Sequence, residues 1–177
     1  MNDFFDLCLR RQSCRNFSAQ PVEHEKLVNC VEAAHLAPSA CNSQPWSFVV
    51  VETPAIVAEV AKCGQQLKMN AHLSNAQAFI VVLEEHAVLM PLVRRVIDSQ
   101  YFAKGDLGAA TVQVCLAAES QGLGTCIIGI YDRESLANLI GVPVEKQFAA
   151  LIAVGYPADD TVRPKQRKPL AEIVRFV

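Results

Sequence analysis

Two cationic stretches lie near opposite ends of the 177-residue sequence. Arg10-Arg11-Gln12-Ser13-Cys14-Arg15 sets three guanidinium groups and a hydroxyl within six residues. Arg163-Pro164-Lys165-Gln166-Arg167-Lys168-Pro169 sets four cations within seven, between prolines that keep the run extended. Guanidinium grips phosphate through paired donors and a short hydroxyl adds one more. One phosphate held from both ends of the chain would account for both runs. Each alone has a plainer explanation: arginines complement the dipole at a helix C-terminus, and a basic run is commonly a solvated surface. Between them lies Ala37-Pro38-Ser39-Ala40-Cys41-Asn42-Ser43-Gln44-Pro45-Trp46. Its prolines remove backbone donors and push Ala37 and Gln44 out of the helical region, so the segment is a shaped loop. Ser39, Asn42, Ser43 and Gln44 offer hydroxyls, amides and free N–H groups to a polar ligand, although an ordinary helix-to-strand turn has the same composition.

The rest of the chain offers little reactive chemistry. Seven cysteines form no Cys-x-x-Cys and have no nearby His pairs, and the four histidines are scattered. Zinc and a secreted disulfide framework are therefore poorly supported. Gly122-Leu123-Gly124 falls at a helix end and is not a dinucleotide fingerprint. An enzyme without a nucleophile, a carboxylate pair or a metal cluster is most simply the holder of a cofactor.

The loop Ala37–Trp46, with Arg11-Gln12-Ser13-Cys14-Arg15 upstream, resembles the FMN-dependent nitroreductase family. Asp106-Leu-Gly-Ala-Ala110 running into Gly122-Leu-Gly-Thr-Cys-Ile-Ile-Gly129, and Gly155-Tyr-Pro157 followed by Lys165-Gln-Arg167-Lys-Pro169, match in the same order. The similarity covers nearly the whole chain as one domain, 1–177. It implies an α+β three-layer fold, a mixed or mostly antiparallel central sheet flanked by helices, and an intertwined homodimer with a composite site. By the resemblance, Arg11 and Ser13 contact the FMN phosphate, Lys165 and Arg167 complete the grip, and Gln12 contributes through its backbone. Arg15 is the cation near the ring or ribityl chain, where it would stabilise negative charge on the reduced flavin. Asn70 resembles an amide that touches the flavin, with a plain loop Asn as the alternative. Pro38, Ser39, Ala40 and Asn42 resemble the loop that reaches FMN from the second subunit. Ile127, Ile128 and Gly129 resemble the strand along the isoalloxazine, Gly129 allowing close approach of a backbone N–H to N5.

The activity implied is ping-pong transfer of two electrons, as a hydride to N5, from NADH or NADPH to a nitroaromatic, quinone or similar planar small-molecule acceptor. A flavin store or sensor without turnover is the alternative of a different class and a purely structural dimerisation domain a third, while relatives that dehalogenate reductively or fragment flavin rank lower because the sequence lacks a membrane anchor and a long lid insertion. Residues 65–75 and 98–105 would shape the open face, with Tyr101 or Phe102 stacking on substrate or packing in the core.

These residues need elements to position them, and the length suffices for one core burying roughly 70% of the unfolded surface. Hydrophobic residues make up 51%, a surplus that an apolar subunit interface would absorb. A net charge of −2 argues against nucleic acid, and no apolar run approaches a membrane span. The N-terminus lacks a signal pattern, so a cytosolic protein is expected. Periodicity predicts helices over residues 3–11, 22–36 (Leu27, Val31, Ala34 and His35 inward), 54–64, 89–97 and 106–121, the last apolar nearly all round and so central. A short helix follows the cap residue Asp132 and stops at Gly141. Strands are expected at 47–52, 78–83, 125–131 and 148–154.

Overall fold

Four runs rich in Val, Ile, Leu and Phe pair into one sheet in the order β1-β2-β4-β3. The structure, a computed structural model, describes residues 3–65 and 68–177. The strands are β1 (Trp46–Val51), β2 (Ala78–Glu84), β3 (Gly124–Ile128) and β4 (Phe148–Gly155). All three pairings are antiparallel, with Val49 opposite Val81, Val81 opposite Leu151 and Ile127 opposite Ile152. The sheet is thus antiparallel throughout its named strands, not mixed. β2 and β4 lie inside it and are buried on both faces, which explains why their sequences are continuously apolar rather than alternating.

Side-chain alternation divides the interior in two. Ile80, Val82, Ile152 and Val154 face α2 (His24–His35) and α4 (Ala103–Ser120), whose Leu27, Ala34, Ala110 and Val114 complete that core. Phe79, Val81, Leu151 and Ala153 face α3 (Pro54–Gly64) and α5 (Arg133–Ile140) on the other side. Two helical layers enclosing a sheet make the expected three-layer α+β arrangement. Each fully buried large side chain, such as Phe79 or Leu151, is worth about 1.5–3 kcal/mol of transfer free energy.

Several elements depart from expectation. Residues 89–97 form no α-helix; Val93–Arg95 is a single 3₁₀ turn, and of the segment's apolar side chains Leu89 alone is fully buried, too few for a packed helical face. Leu92 and Val96 are exposed. α4 begins at Ala103, earlier than the segment's composition indicated. It is buried on one side only, since Gly108 and Val112 are exposed. His35 faces solvent. β3 stops at Ile128, so Gly129, Ile130 and Tyr131 lead into α5, where the Asp132 side chain accepts from the Ser135 N–H at 3.0 Å. Asp3 lies within α1 (Asp3–Arg10), and Leu170–Ile173 adds a short α6.

Candidate functional site

The N-terminal segment after α1 runs beside β3. Ser13 bridges Thr125 in parallel register and the Cys14 N–H donates to the Thr125 carbonyl at 2.8 Å. Gly124 permits this approach, for a Cβ there would lie 2.7 Å from that of Cys14. Further on, Phe17 bridges Pro157, and the N–H groups of Ser18 and Ala158 donate to the carbonyls of Tyr156 and Asn16. The chain beyond β4 is thereby laid back along residues 11–18.

That layering joins the two cationic stretches. Arg163 donates through Nε to Gln12 Oε1 at 3.0 Å and through Nη2 to the Ser13 carbonyl at 2.6 Å. Lys165 donates to the Arg11 carbonyl. Arg11, Gln12, Ser13, Arg163, Lys165 and Arg167 line one hollow of about 290 Å³. Ser13, Arg15 and Arg163 line a neighbouring one of about 340 Å³. Of the residues expected to hold phosphate, Arg11, Gln12, Ser13, Lys165 and Arg167 are brought together, with Arg15 beside them.

Positive charge in this hollow is only partly compensated. Burial lowers the pKa of Lys165, and the nearby Arg11 and Arg167 lower it further, against a partial offset from Glu119. Glu119 itself is raised by burial, while Arg10, Arg11 and Lys165 pull it down. Among the described residues neither Arg11 nor Arg15 makes a salt bridge. Crowded guanidinium and ammonium groups short of carboxylates are the donor set that a phosphate ester satisfies, so the residues present fit a phosphorylated cofactor.

The loop from Ala37 to Trp46 lies elsewhere on the same chain. The Ala40 N–H donates to Asp106 of α4 at 3.1 Å, and the Val88 N–H to the Ser43 hydroxyl at 2.7 Å. Cys41, Asn42 and Gln44 all adopt positive φ, near 50°, a conformation held here by the Ser39 hydroxyl accepting from the Gln44 N–H at 2.9 Å. Among the described residues no hydrogen bond joins Pro38, Ser39, Ala40 or Asn42 to residues 11–15.

Ile127 is 48% exposed beside Val112, 49% exposed, in a hollow of about 520 Å³ between α4 and the sheet edge. Ile128 points the other way and is buried. Gly129 is exposed, and a Cβ there would meet nothing of its own chain within 4 Å. Asn70, at φ 56°, donates its amide to the Gly64 carbonyl at 2.9 Å and so finishes α3. Of the 65–75 stretch expected at the open face, Gln66 and Leu67 lie outside the described residues. Tyr101 is exposed, its ring perpendicular to Phe102 at 5.1 Å, so it is no core residue.

Sequence reasoning missed three participants. Asp106 fixes the loop across 66 positions, a tie that no local pattern announces. Thr161 closes a contact to Gln12 at 2.6 Å. His72 has a buried Nε2 without a hydrogen-bond partner, and its pKa is lowered by burial and then by Arg15. Burial raises the pKa of Cys14, Cys63, Cys115 and Cys126, and that of Cys30 to about 11, which keeps these five thiols protonated.

Fold and site together define a three-layer α+β protein in which arginine and lysine side chains from both ends of the chain meet around one hollow. The comparisons narrow the class. A model described as "Nitroreductase family" matches residues 9–156, and the chain belongs to that family of oxidoreductases. A protein of Archaeoglobus fulgidus, provisionally named NADH dehydrogenase/NAD(P)H nitroreductase, is 30% identical over 164 residues, covering 90% of this chain and 88% of its own. The crystal structure of a nitroreductase family protein from Streptococcus pneumoniae superposes with a TM-score of 0.83 at 25% identity, covering 98% of this chain and all of the other. A Desulfovibrio desulfuricans protein crystallised in complex with FMN gives a TM-score of 0.77 at 25% identity, over 98% of this chain and 96% of its own. No helix among the described residues is long and apolar enough to cross a membrane.

Proposed function

We propose that this chain is an FMN-dependent oxidoreductase that takes two electrons from NADH or NADPH and, once the nicotinamide has left, delivers them to a nitroaromatic, quinone or similar planar acceptor. The observation that carries the reading is the meeting of residues 11–15 with residues 163–167 around a carboxylate-poor hollow. FMN, when bound, supplies hydride acceptance and two-electron release, which no side chain here can provide.

Arg11, Ser13, Lys165 and Arg167 hold the phosphate, and the backbone of Gln12 lies against it. Arg15 stabilises negative charge at the far end of the cofactor, next to His72. Ile127 and Gly129 flank the ring, with the buried Ile128 contributing backbone alone and Asn70 near the ring while its amide holds the Gly64 carbonyl; the open space at Gly129 leaves room for close approach. Pro38, Ser39, Ala40 and Asn42 complete the pocket from a second copy of the chain. This assignment fits a loop tied to α4 rather than to its own cationic segment. It also fits the half-exposed Val112 and Ile127 beside it, which a partner would cover.

The visible spectrum of the purified protein tests the proposal. Flavin absorbance that bleaches on adding NADH or NADPH is expected. Flavin that never bleaches would favour storage or sensing, and a colourless protein that takes up no FMN would overturn the cofactor. Arg15→Ala should weaken FMN binding or slow reduction; unchanged flavin content and turnover would remove Arg15 from the site.

A further inference from the structure

We infer that the Gln12 side chain is a positioning residue: it pins residues 161–163 so that Lys165 and Arg167 are aimed at the cofactor phosphate. The inference rests on the flavin reading above, but assigns Gln12 a role that its backbone alone would not have.

Both ends of the Gln12 carboxamide are engaged. Its Nε2 donates to the Thr161 carbonyl at 2.6 Å, and its Oε1 accepts from the Arg163 N–H at 3.2 Å and from Arg163 Nε at 3.0 Å. Gripping the carbonyl and the N–H on either side of Val162 is what the N–H and C=O of one residue do in a parallel ladder. The side chain thus stands in for a strand neighbour where the backbone supplies none. Up to residue 158 the returning chain is held by main-chain bonds to Asn16, Phe17 and Ser18. Beyond it, the contacts to residues 11–16 run through side chains: Asn16 to Asp159, Gln12 to Thr161 and Arg163, Arg163 to Ser13, and Lys165 to Arg11. Gln12 is the member of this set that fixes backbone on both sides of one residue. The carboxamide can do so because it carries a donor and an acceptor side by side, whereas a carboxylate cannot donate and an ammonium cannot accept. These partners lie past residue 156, beyond the span shared with the family model.

Lys165–Gln166 and Arg167–Lys168 are tryptic sites, whereas Arg163 and Lys168 precede proline and resist cleavage. Trypsin therefore reads how firmly this strap is held, and the ratio of riboflavin to FMN dissociation constants reads the phosphate grip separately from the ring. For Gln12→Met, with wild-type far-UV circular dichroism as the check on folding, cleavage after Lys165 and Arg167 should accelerate at least fivefold. FMN affinity should fall about tenfold while riboflavin affinity stays within twofold. Gln12→Glu, which keeps the acceptor and loses the donor, should be cleaved at an intermediate rate. Arg163→Met keeps its main-chain N–H and serves as a second variant, expected to loosen the strap in the same direction. Unchanged cleavage, or equal losses for FMN and riboflavin, would overturn the positioning role. Wild-type protein that binds no FMN would overturn the function proposed above, and the cleavage rates would then decide by themselves whether Gln12 holds the strap.

Discussion

Lys165 donates its ammonium group to the main-chain carbonyl of Arg11, bringing together two cations 154 positions apart in sequence. Like charges repel, so this arrangement is sustained by the hydrogen bonds around it and leaves a local excess of positive charge. That excess suits the hollow to an anion such as the phosphate proposed for it, and it makes the proposed grip sensitive to pH.

Lys165 titrates below an ordinary lysine because of burial, then Arg11 and Arg167. A phosphate favours the charged ammonium, so FMN affinity is full at pH values below this lowered pKa and falls as pH rises through it. The fall should begin below the value of about 10.4 expected for a free lysine. Lys165→Arg should flatten that limb, and Lys165→Ala should cost roughly 10- to 150-fold in affinity, the worth of a charged hydrogen bond. Fluorescence titration of FMN from pH 7 to 10 measures both, and a wild-type affinity as flat as the arginine variant's would contradict the assignment.

Two glycines separate folding from binding. Gly124→Ala forces a Cβ to 2.7 Å from that of Cys14 and should destabilise the protein by about 1–3 kcal/mol while displacing Ser13 and Arg15. Gly129→Ala meets nothing in its own chain and should leave thermal stability within about 0.5 kcal/mol, yet lower FMN affinity if the ring lies against it. Equal effects of the two substitutions on stability would refute the distinction.

His72 resists protonation in the folded protein, through burial first and Arg15 second. Its unfolded value is near 6.5, so between the lowered folded value and that point the unfolded state binds more protons and stability rises with pH. As pH drops below about 6.5, the wild type should lose stability faster than His72→Gln in urea melts. Parallel pH profiles for the two proteins would mean that His72 does not contribute.

Val112 lies half-exposed on α4 beside the exposed Ile127. If a second copy covers this face and lends its Asn42 loop, Val112→Asp should give a folded monomer that has lost most of its flavin. Sedimentation combined with flavin absorbance tests both at once. A monomer that binds FMN as well as the wild type would place the whole site within one chain.

What the sequence by itself determined was local. Apolar runs made β1 to β4, Pro54 and Gly64 bounded α3, Asp132 and Gly141 bounded α5, and the paired prolines kept 37–45 out of helix and sheet apart from one 3₁₀ turn at Ala40–Asn42. The cationic runs were visible as runs because residue types a few positions apart state their own chemistry. Only tertiary structure decided that Arg163 reaches Ser13, that Asp106 fixes Ala40, that Gln12 serves as a strand neighbour, and that residues 89–97 bury little beyond Leu89. Each of these depends on partners far away in sequence, and periodicity reports only whether a segment has an apolar face, never what stands opposite it.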